Sequence, residues 1–385
     1  MKKIVVDTES LAKAFREMPL SIYKHDANYI RPLDKDIEAV FDKKQNKFFR
    51  QGECERWLFA NEKGEYVGRI AVFTNKKYIQ EQPTGGFGFF ECVEDQSIAN
   101  TIFDEAKTWL QARGMEAMDG PINFGERDKW WGLLIDGFEE SLYCLNYNPP
   151  YYKNLFEQYG FEIYFNQLCF GMDVSTPLSE KMKRWHAFYS NHPDFHVEHI
   201  KRKELNKYAE DFCVIYNKAW AKHGGGKTME LKQAKIIFNS MKAILDEKIA
   251  WFVYHKNEPI GMWINMPDLN QYFKHFNGKL GWLQKLYFLY LKYTGACKRF
   301  VGVVYGIVPE WQGKGTDAYM IGECAKYVQP NRRYDKFEMQ WLGDFNPKML
   351  NLAKNLEASE VRRLATYRYL FDRSIPFKRH PILSA

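Results

Sequence analysis

Two stretches far apart in the chain follow the same order of patterns with little residue identity between them. Ile4-Val5-Val6, then a helical pattern ending near Ile22-Tyr23-Lys24, is matched by His196-Val197-Glu198 and a helical pattern ending at Ile215-Tyr216-Asn217. Trp57-Leu58-Phe59-Ala60, a polar turn and Val67-Gly68-Arg69-Ile70 read as a hairpin. Trp251-Phe252-Val253-Tyr254, a turn and Ile260-Gly261-Met262-Trp263 repeat it. Each half later carries an Asn-Pro step ahead of a helical pattern, at Asn148-Pro149 and Asn346-Pro347. Proline suits a first helical turn, where its missing N–H would have no intrahelical partner. The expected fold is mixed α/β, a sheet flanked by helices, built as two like domains over residues 1–175 and 176–385. A length of 385 residues suits two cores better than one.

In the second half, Phe300 to Val308 is a near-continuous apolar run, as in a strand covered on both faces. Gln312-Gly313-Lys314-Gly315-Thr316-Asp317 follows, and then Ala318, Ile321, Ala325 and Val328 recur at helical spacing. A strand, a glycine-rich turn and a helix N-terminus make a ready anion site. The first helical N–H groups lack internal partners and the helix dipole is positive there. Glycines let a pyrophosphate approach the backbone. The plain alternative is an ordinary strand-to-helix connection.

This stretch resembles the GNAT acyltransferase superfamily. Its acyl-CoA motif, Gln/Arg-x-x-Gly-x-Gly/Ala introduced by Val-x-Pro, is similar to Ile307-Val308-Pro309, Gln312 and Gly315 in order and spacing. Asp317 stands where the family has Gly or Ala. The resemblance implies two GNAT-like acyl-CoA N-acyltransferase domains in tandem. It implies acetyl-CoA or another acyl-CoA as cofactor, held by Ile307, Val308, Gln312, Gly313, Lys314, Gly315, Thr316, Asp317 and Asn346. The activity implied is N-acyl transfer to a small-molecule or peptide amine. The family often places a thiolate-protonating tyrosine in the later helix, where this chain has Ala353, so that role is vacant or filled from elsewhere; Tyr367 and Tyr369 alternate on a nearby strand, and Tyr367 is the candidate acid. Asp268, at the end of the strand Met262 to Met266, is the expected general base; a strand-end turn is the alternative reading of it. A CoA-binding sensor without turnover, a Fem-type aminoacyl transferase using charged tRNA and a structural interaction protein with a relic site are the rival functions.

The first half has Phe87 to Ser97 at the equivalent place, without a glycine in the turn and with Glu91, Glu94 and Asp95. Carboxylates beside a pyrophosphate repel it by on the order of 1 kcal/mol per close pair even in water. The expectation is that this half binds no cofactor in this way.

His223-Gly224-Gly225-Gly226-Lys227-Thr228 lacks the earlier glycine of a phosphate loop, with Ala221 at that position. Leu280 to Phe300 has no counterpart of similar length in the first half. Its helical periodicity fits a packed helix, a cover for an acyl tunnel, a subunit contact or a lipid contact. Asn123 to Trp131 reads either as a lid or as a loop anchored by Trp130 and Trp131. No metal site is expected, because His196 and His199 would point to opposite faces of a strand. The net charge of +7 is spread without a basic block, so no nucleic-acid partner is expected. Gly281 to Tyr293 is too short to span a bilayer. Seven scattered cysteines and the early Asp7 point to a cytoplasmic protein.

Overall fold

A computed structural model describes residues 1–220 and 228–383. The first half runs β1 (Lys2–Val5), α1 (Glu9–Glu17), α2 (Pro19–Ile22), α3 (Asp34–Phe41), β2 (Gly52–Ala60), β3 (Tyr66–Asn75), β4 (Thr84–Cys92), α4 (Gln96–Gln111), β5 (Ala117–Gly120), β6 (Leu133–Asp136), α5 (Tyr152–Tyr159) and β7 (Glu162–Asp173). The second half runs α6 (Glu180–Ser190), β8 (Phe195–His199), α7 (Leu205–Trp220), α8 (Leu231–Met241), β9 (Ala250–His255), β10 (Glu258–Pro267), α9 (Asn270–Phe273), α10 (Trp282–Thr294), β11 (Arg299–Ile307), α11 (Thr316–Asn331), β12 (Lys336–Met339), β13 (Leu342–Gly343), α12 (Pro347–Asn355) and β14 (Ser359–Leu370). The boundary expected at residue 175 falls in the connection between β7 and α6. Most of the His223–Thr228 loop lies outside the described residues.

One 14-stranded mixed sheet runs through both halves, in the order β1-β2-β3-β4-β5-β14-β7-β12-β11-β10-β9-β8, with β6 and β13 attached at β14 and β7. The order carries a fact that local patterns do not contain. β14, the last strand of the chain, enters the first half and pairs antiparallel with β5, while β7 pairs with β12 of the second half. The two exchanged strands also pair with each other, from Ser359↔Gly171 to Arg368↔Glu162. Tyr367 and Ala365 consequently belong to the first half's core, among Phe87, Phe103, Phe156 and Phe161. The second core gathers under β8 to β12 and includes Phe252, Met262, Phe300 and Met320.

A buried charge network pins this junction. Arg299 donates to Asp268 at 2.8 Å and to Glu338 at 3.3 Å, and Arg362 of β14 donates to the other Glu338 oxygen at 3.0 Å. Both guanidinium groups also reach the Glu140 carbonyl, at 3.0 and 3.1 Å. Burial alone would lower the Arg299 pKa, but Asp268 and Glu338 hold it above its ordinary value. Trp130 and Trp131 are buried in the core beside Phe124 and Phe165, so the loop before them is anchored there.

Candidate functional site

The parallel pairing of β11 with β12 covers Arg299↔Lys336 to Gly302↔Met339 and ends there. Gln340 still donates to the Gly302 carbonyl at 3.1 Å. β11 runs on to Ile307, paired only with β10 along that stretch, so the two parallel strands part. At the same place the β10–β11 register slips: Ile264 faces Val304 and Asn265 faces Gly302, which leaves Val303 as an extra residue. Such bulges re-aim the chain and collect beside active sites.

Beyond β11, Pro309 to Trp311 form a short 3₁₀ turn. Gln312 closes it by donating from its side-chain amide to the Ile307 carbonyl at 2.9 Å. Gly313 and Gly315 then take φ of +72° and +76°, a region costly for residues with a Cβ. Gly315 is the N-cap of α11, and no side chain caps that helix. Its first amides therefore remain open to an external anion. Trp185 of α6 lies against one side of Gly315, where a Cβ would sit 2.4 Å from the ring. Gly313 faces free space, with nothing within 4 Å of its would-be Cβ. The bend is thus backed by a side chain but not filled by one.

A cleft of about 420 Å³ opens here. It brings together Ile307, Gln312, Gly313, Gly315, Thr316, Asp317 and Asn346. Val308 is buried under the turn, its N–H on the Ile260 carbonyl at 2.9 Å. Lys314 is exposed, with its ammonium 5.0 Å from the centre of the Trp311 ring. Its own carbonyl accepts from the Tyr189 hydroxyl at 2.6 Å. Asn346 accepts from the Met349 N–H at 3.4 Å and so caps α12.

Tyr305 was missed by sequence reasoning. It lines the cleft, and its hydroxyl donates to Asp317 at 3.3 Å. Burial, and then the Asp317 charge, push its pKa well above the usual phenol value, so it stays a donor at neutral pH. The available signal was its place two residues before Ile307, hence on the same face of a strand.

The two expected catalytic residues are not brought to this cleft. Asp268 follows β10, whose end lies beside the start of β11 in their antiparallel pairing. The glycine turn lies at the other end of β11, about 26 Å away along eight residues. Asp268 is fully buried and engaged by Arg299 and by the N–H groups of Tyr143 and Asn270. A carboxylate so enclosed has no reach into the cleft. Tyr367 is displaced by the strand exchange. It is fully buried in the first half, its hydroxyl on Glu157 at 3.0 Å.

At the equivalent place in the first half the chain satisfies its own backbone groups. β4 and β5 pair from Thr84↔Ala117 to Gly86↔Asp119 and then part, and β3–β4 slips register between Arg69 and Ala71. There the Tyr152 hydroxyl accepts from the Cys92 N–H and the Tyr151 hydroxyl donates to the Cys92 carbonyl, both at 2.8 Å. Asp95 caps α4, its carboxylate accepting from the N–H groups of Ser97 and Ile98 at 2.8 and 3.2 Å. Glu91 is buried against Arg69, Tyr23 and Tyr152.

A central sheet whose parallel strands part beside a bulge, with a glycine turn and helix at one of two such places, defines the class: this is a tandem GNAT-fold protein. A tandem GNAT protein from the clavulanic acid biosynthesis pathway superposes with a TM-score of 0.55 at 8% identity, over 97% of this chain and 99% of that one. A GCN5-related N-acetyltransferase from Sphaerobacter thermophilus gives 0.50 at 10% identity, over 98% of each chain. In sequence, the chain is 24% identical over 377 residues to the bacterial ceramide synthase of Caulobacter vibrioides (strain NA1000 / CB15N), covering 94% of this chain and 96% of that protein. It is 23% identical over 373 residues to protein YghO of Escherichia coli (strain K12), covering 92% of each. No family model matches the sequence. Among the described residues, no cluster of His, Cys, Asp and Glu could hold a metal ion.

Proposed function

We propose that the protein is an N-acyltransferase that moves an acyl group from acyl-CoA to the amine of a long-chain amino alcohol. The observation that carries the donor is the uncapped start of α11, behind two left-handed glycines, at the end of the strand that parts from its neighbour. The amides of Gly313 and of Gly315 to Asp317 would take the pyrophosphate, the Lys314 N–H being engaged by the Trp311 carbonyl. The free edge of Val303 to Ile307 would pair with the pantetheine amides, and the acyl thioester would then lie near the bulge at Val303. Holding amine and thioester together there removes much of the entropic part of the barrier. The neutral amine nitrogen attacks the thioester carbonyl, the C–N bond forms as the C–S bond breaks, and the proton lost from nitrogen passes to the departing thiolate, releasing CoA as the free thiol.

The acceptor class rests on the relative named bacterial ceramide synthase, matched along nearly the whole of both chains. A ceramide is the N-acyl product of such an amine. The free cysteines, most of them buried, support the reading of a protein working in the reducing cytoplasm, where acyl-CoA is at hand.

Calorimetric titration with CoA tests the donor, with Gly315→Glu as the variant that should lose binding. Incubation with palmitoyl-CoA and sphinganine, followed by thiol release and by mass spectrometry of the N-acyl product, tests the reaction. Titration heats unchanged by Gly315→Glu would remove the donor site from this turn. CoA binding without an amide product would leave a CoA-binding protein and no transferase.

A further inference from the structure

α10 is amphipathic with its apolar side turned the wrong way for a helix of a self-contained soluble protein. Its inner side is narrow: Leu291 is buried, and Phe288 packs on Tyr272 and Phe273. At 100° per residue, Leu289, Trp282, Tyr293, Leu286, Tyr290 and Leu283 fall in one arc of about 120° on the other side. All six are exposed, Trp282 by 70% and Tyr293 by 91% of their surface. Isolated exposed apolar residues mean little, but a contiguous row of this kind marks a contact surface.

What covers it is indicated by charge and by length. Between Asp268 and Glu310 the chain has no acidic residue, yet it carries Lys274, Lys279, Lys285, Lys292, Lys298 and Arg299. Arg299 is spent in its buried ion pairs, Lys274 on Glu140, and Lys292 on the Ala243 carbonyl. Lys279, Lys285 and Lys298 are exposed. Lys285 borders the apolar arc and Lys279 precedes the helix. A second copy docked on this face would bring the lysines of the two helices together, with no acidic residue on either helix to answer them. An anionic bilayer answers them while taking up the apolar arc. The 13-residue helix is about 20 Å long, well short of the roughly 30 Å hydrocarbon core. Among the described residues, no helix is long and apolar enough to cross a membrane. Trp and Tyr beside leucines, with lysines on the flank, is the composition of a helix lying in the plane of the headgroups.

We propose that α10 is a membrane-docking helix, seated in the interface of a bilayer containing anionic phospholipid. Trp282, Leu286, Leu289 and Tyr293 enter the acyl boundary, and Lys279 and Lys285 meet the phosphates. This docking stands independently of the acyl-transfer reading, since it needs neither the cleft nor a cofactor.

The test is co-sedimentation of the full-length protein with vesicles of phosphatidylcholine alone and of phosphatidylcholine mixed with phosphatidylglycerol. The parent binds the mixed vesicles, more weakly as salt is raised. Leu286→Glu with Tyr293→Glu lowers that binding by about tenfold or more, and Lys279→Glu with Lys285→Glu removes the preference for the anionic lipid. Thermal unfolding of each variant checks that the fold is kept, as expected for exposed positions. Two results would overturn the proposal: a parent that stays in the supernatant with both vesicle types, or binding that neither variant alters. Light scattering adds a third. A concentration-dependent dimer that Leu286→Glu dissolves would make this face a protein interface instead.

Discussion

Arg368, on the last strand of the chain, holds Asp119 of β5 in a two-pronged pair, Nε to Oδ1 and Nη2 to Oδ2, both at 2.7 Å. Both side chains are buried, and the guanidinium also stacks 3.6 Å above the centre of the Tyr164 ring. The carboxylate takes a further hydrogen bond from Tyr78 at 2.5 Å. The pair fastens the exchanged strand into the half that did not supply it. Arg368→Met leaves a buried carboxylate without its counter-charge and should cost about 3–5 kcal/mol, whereas adding Asp119→Leu should recover much of the loss. Guanidinium denaturation measures both. An Arg368→Met variant as stable as the parent would show that the pair contributes little to the junction.

Gly313 and Gly315 share a backbone conformation but not surroundings. Alanine at either meets the left-handed cost of roughly 1–2 kcal/mol. At 315 the added methyl also meets the Trp185 ring, at 2.4 Å, while at 313 it projects into open cleft. Gly315→Ala should therefore lower the melting temperature more than Gly313→Ala. Both should weaken CoA binding, Gly315→Ala by about tenfold or more through the displaced start of α11. Calorimetry and thermal unfolding on the two variants separate the contributions. A Gly313→Ala protein less stable than Gly315→Ala would contradict this account of the turn.

Asp317 presents a carboxylate in the first turn of α11, where the resembling motif has Gly or Ala. For the fold this is favourable by about 0.3–1 kcal/mol, because the helix dipole is positive at that end. For a pyrophosphate at the same amides it is a like charge. Asp317→Asn keeps a partner for the Tyr305 hydroxyl and removes the charge. It should tighten CoA several-fold, with the larger gain at low salt, and cost the protein a fraction of a kcal/mol. Weaker CoA binding by Asp317→Asn would mean that the carboxylate faces something other than the phosphates.

What could be read in advance follows the reach of the interactions. The turn at Gln312 to Asp317 was legible because a strand, two glycines and a helix start are consecutive in sequence. The repeated hairpins were legible for the same reason. The exchange of β7 and β14 depends on pairings between residues about 200 positions apart, such as Arg362 with Cys169, and no local pattern encodes which half a final strand will join. That is why Tyr367, on a well-placed strand, came to lie in the other core. Asp268 was found at a strand end, as expected, but polarity alone does not say whether a carboxylate meets solvent or an arginine such as Arg299. The periodicity of α10 was visible too; only the packing of Phe288 and Leu291 reveals that its wider apolar arc faces outward.

The cover over the glycine turn carries its own acid sensitivity. α6 supplies Trp185 to Gly315 and, one residue on, His186, whose Nε2 lies 2.7 Å from a Glu323 oxygen on α11. Burial alone would raise the Glu323 pKa, but hydrogen bonds from Lys326 and His186 bring it below its ordinary 4.5. A carboxylate with a depressed folded-state value stabilises the fold fully above the unfolded value. That contribution is lost as pH falls through the folded value. The parent should therefore be more stable than Glu323→Gln at neutral pH. The difference should persist down to about pH 5 and shrink below 4.5. Melting temperatures of both proteins across that range give the answer. A gap that instead widened on acidification would assign the α6–α11 clasp to contacts other than this carboxylate.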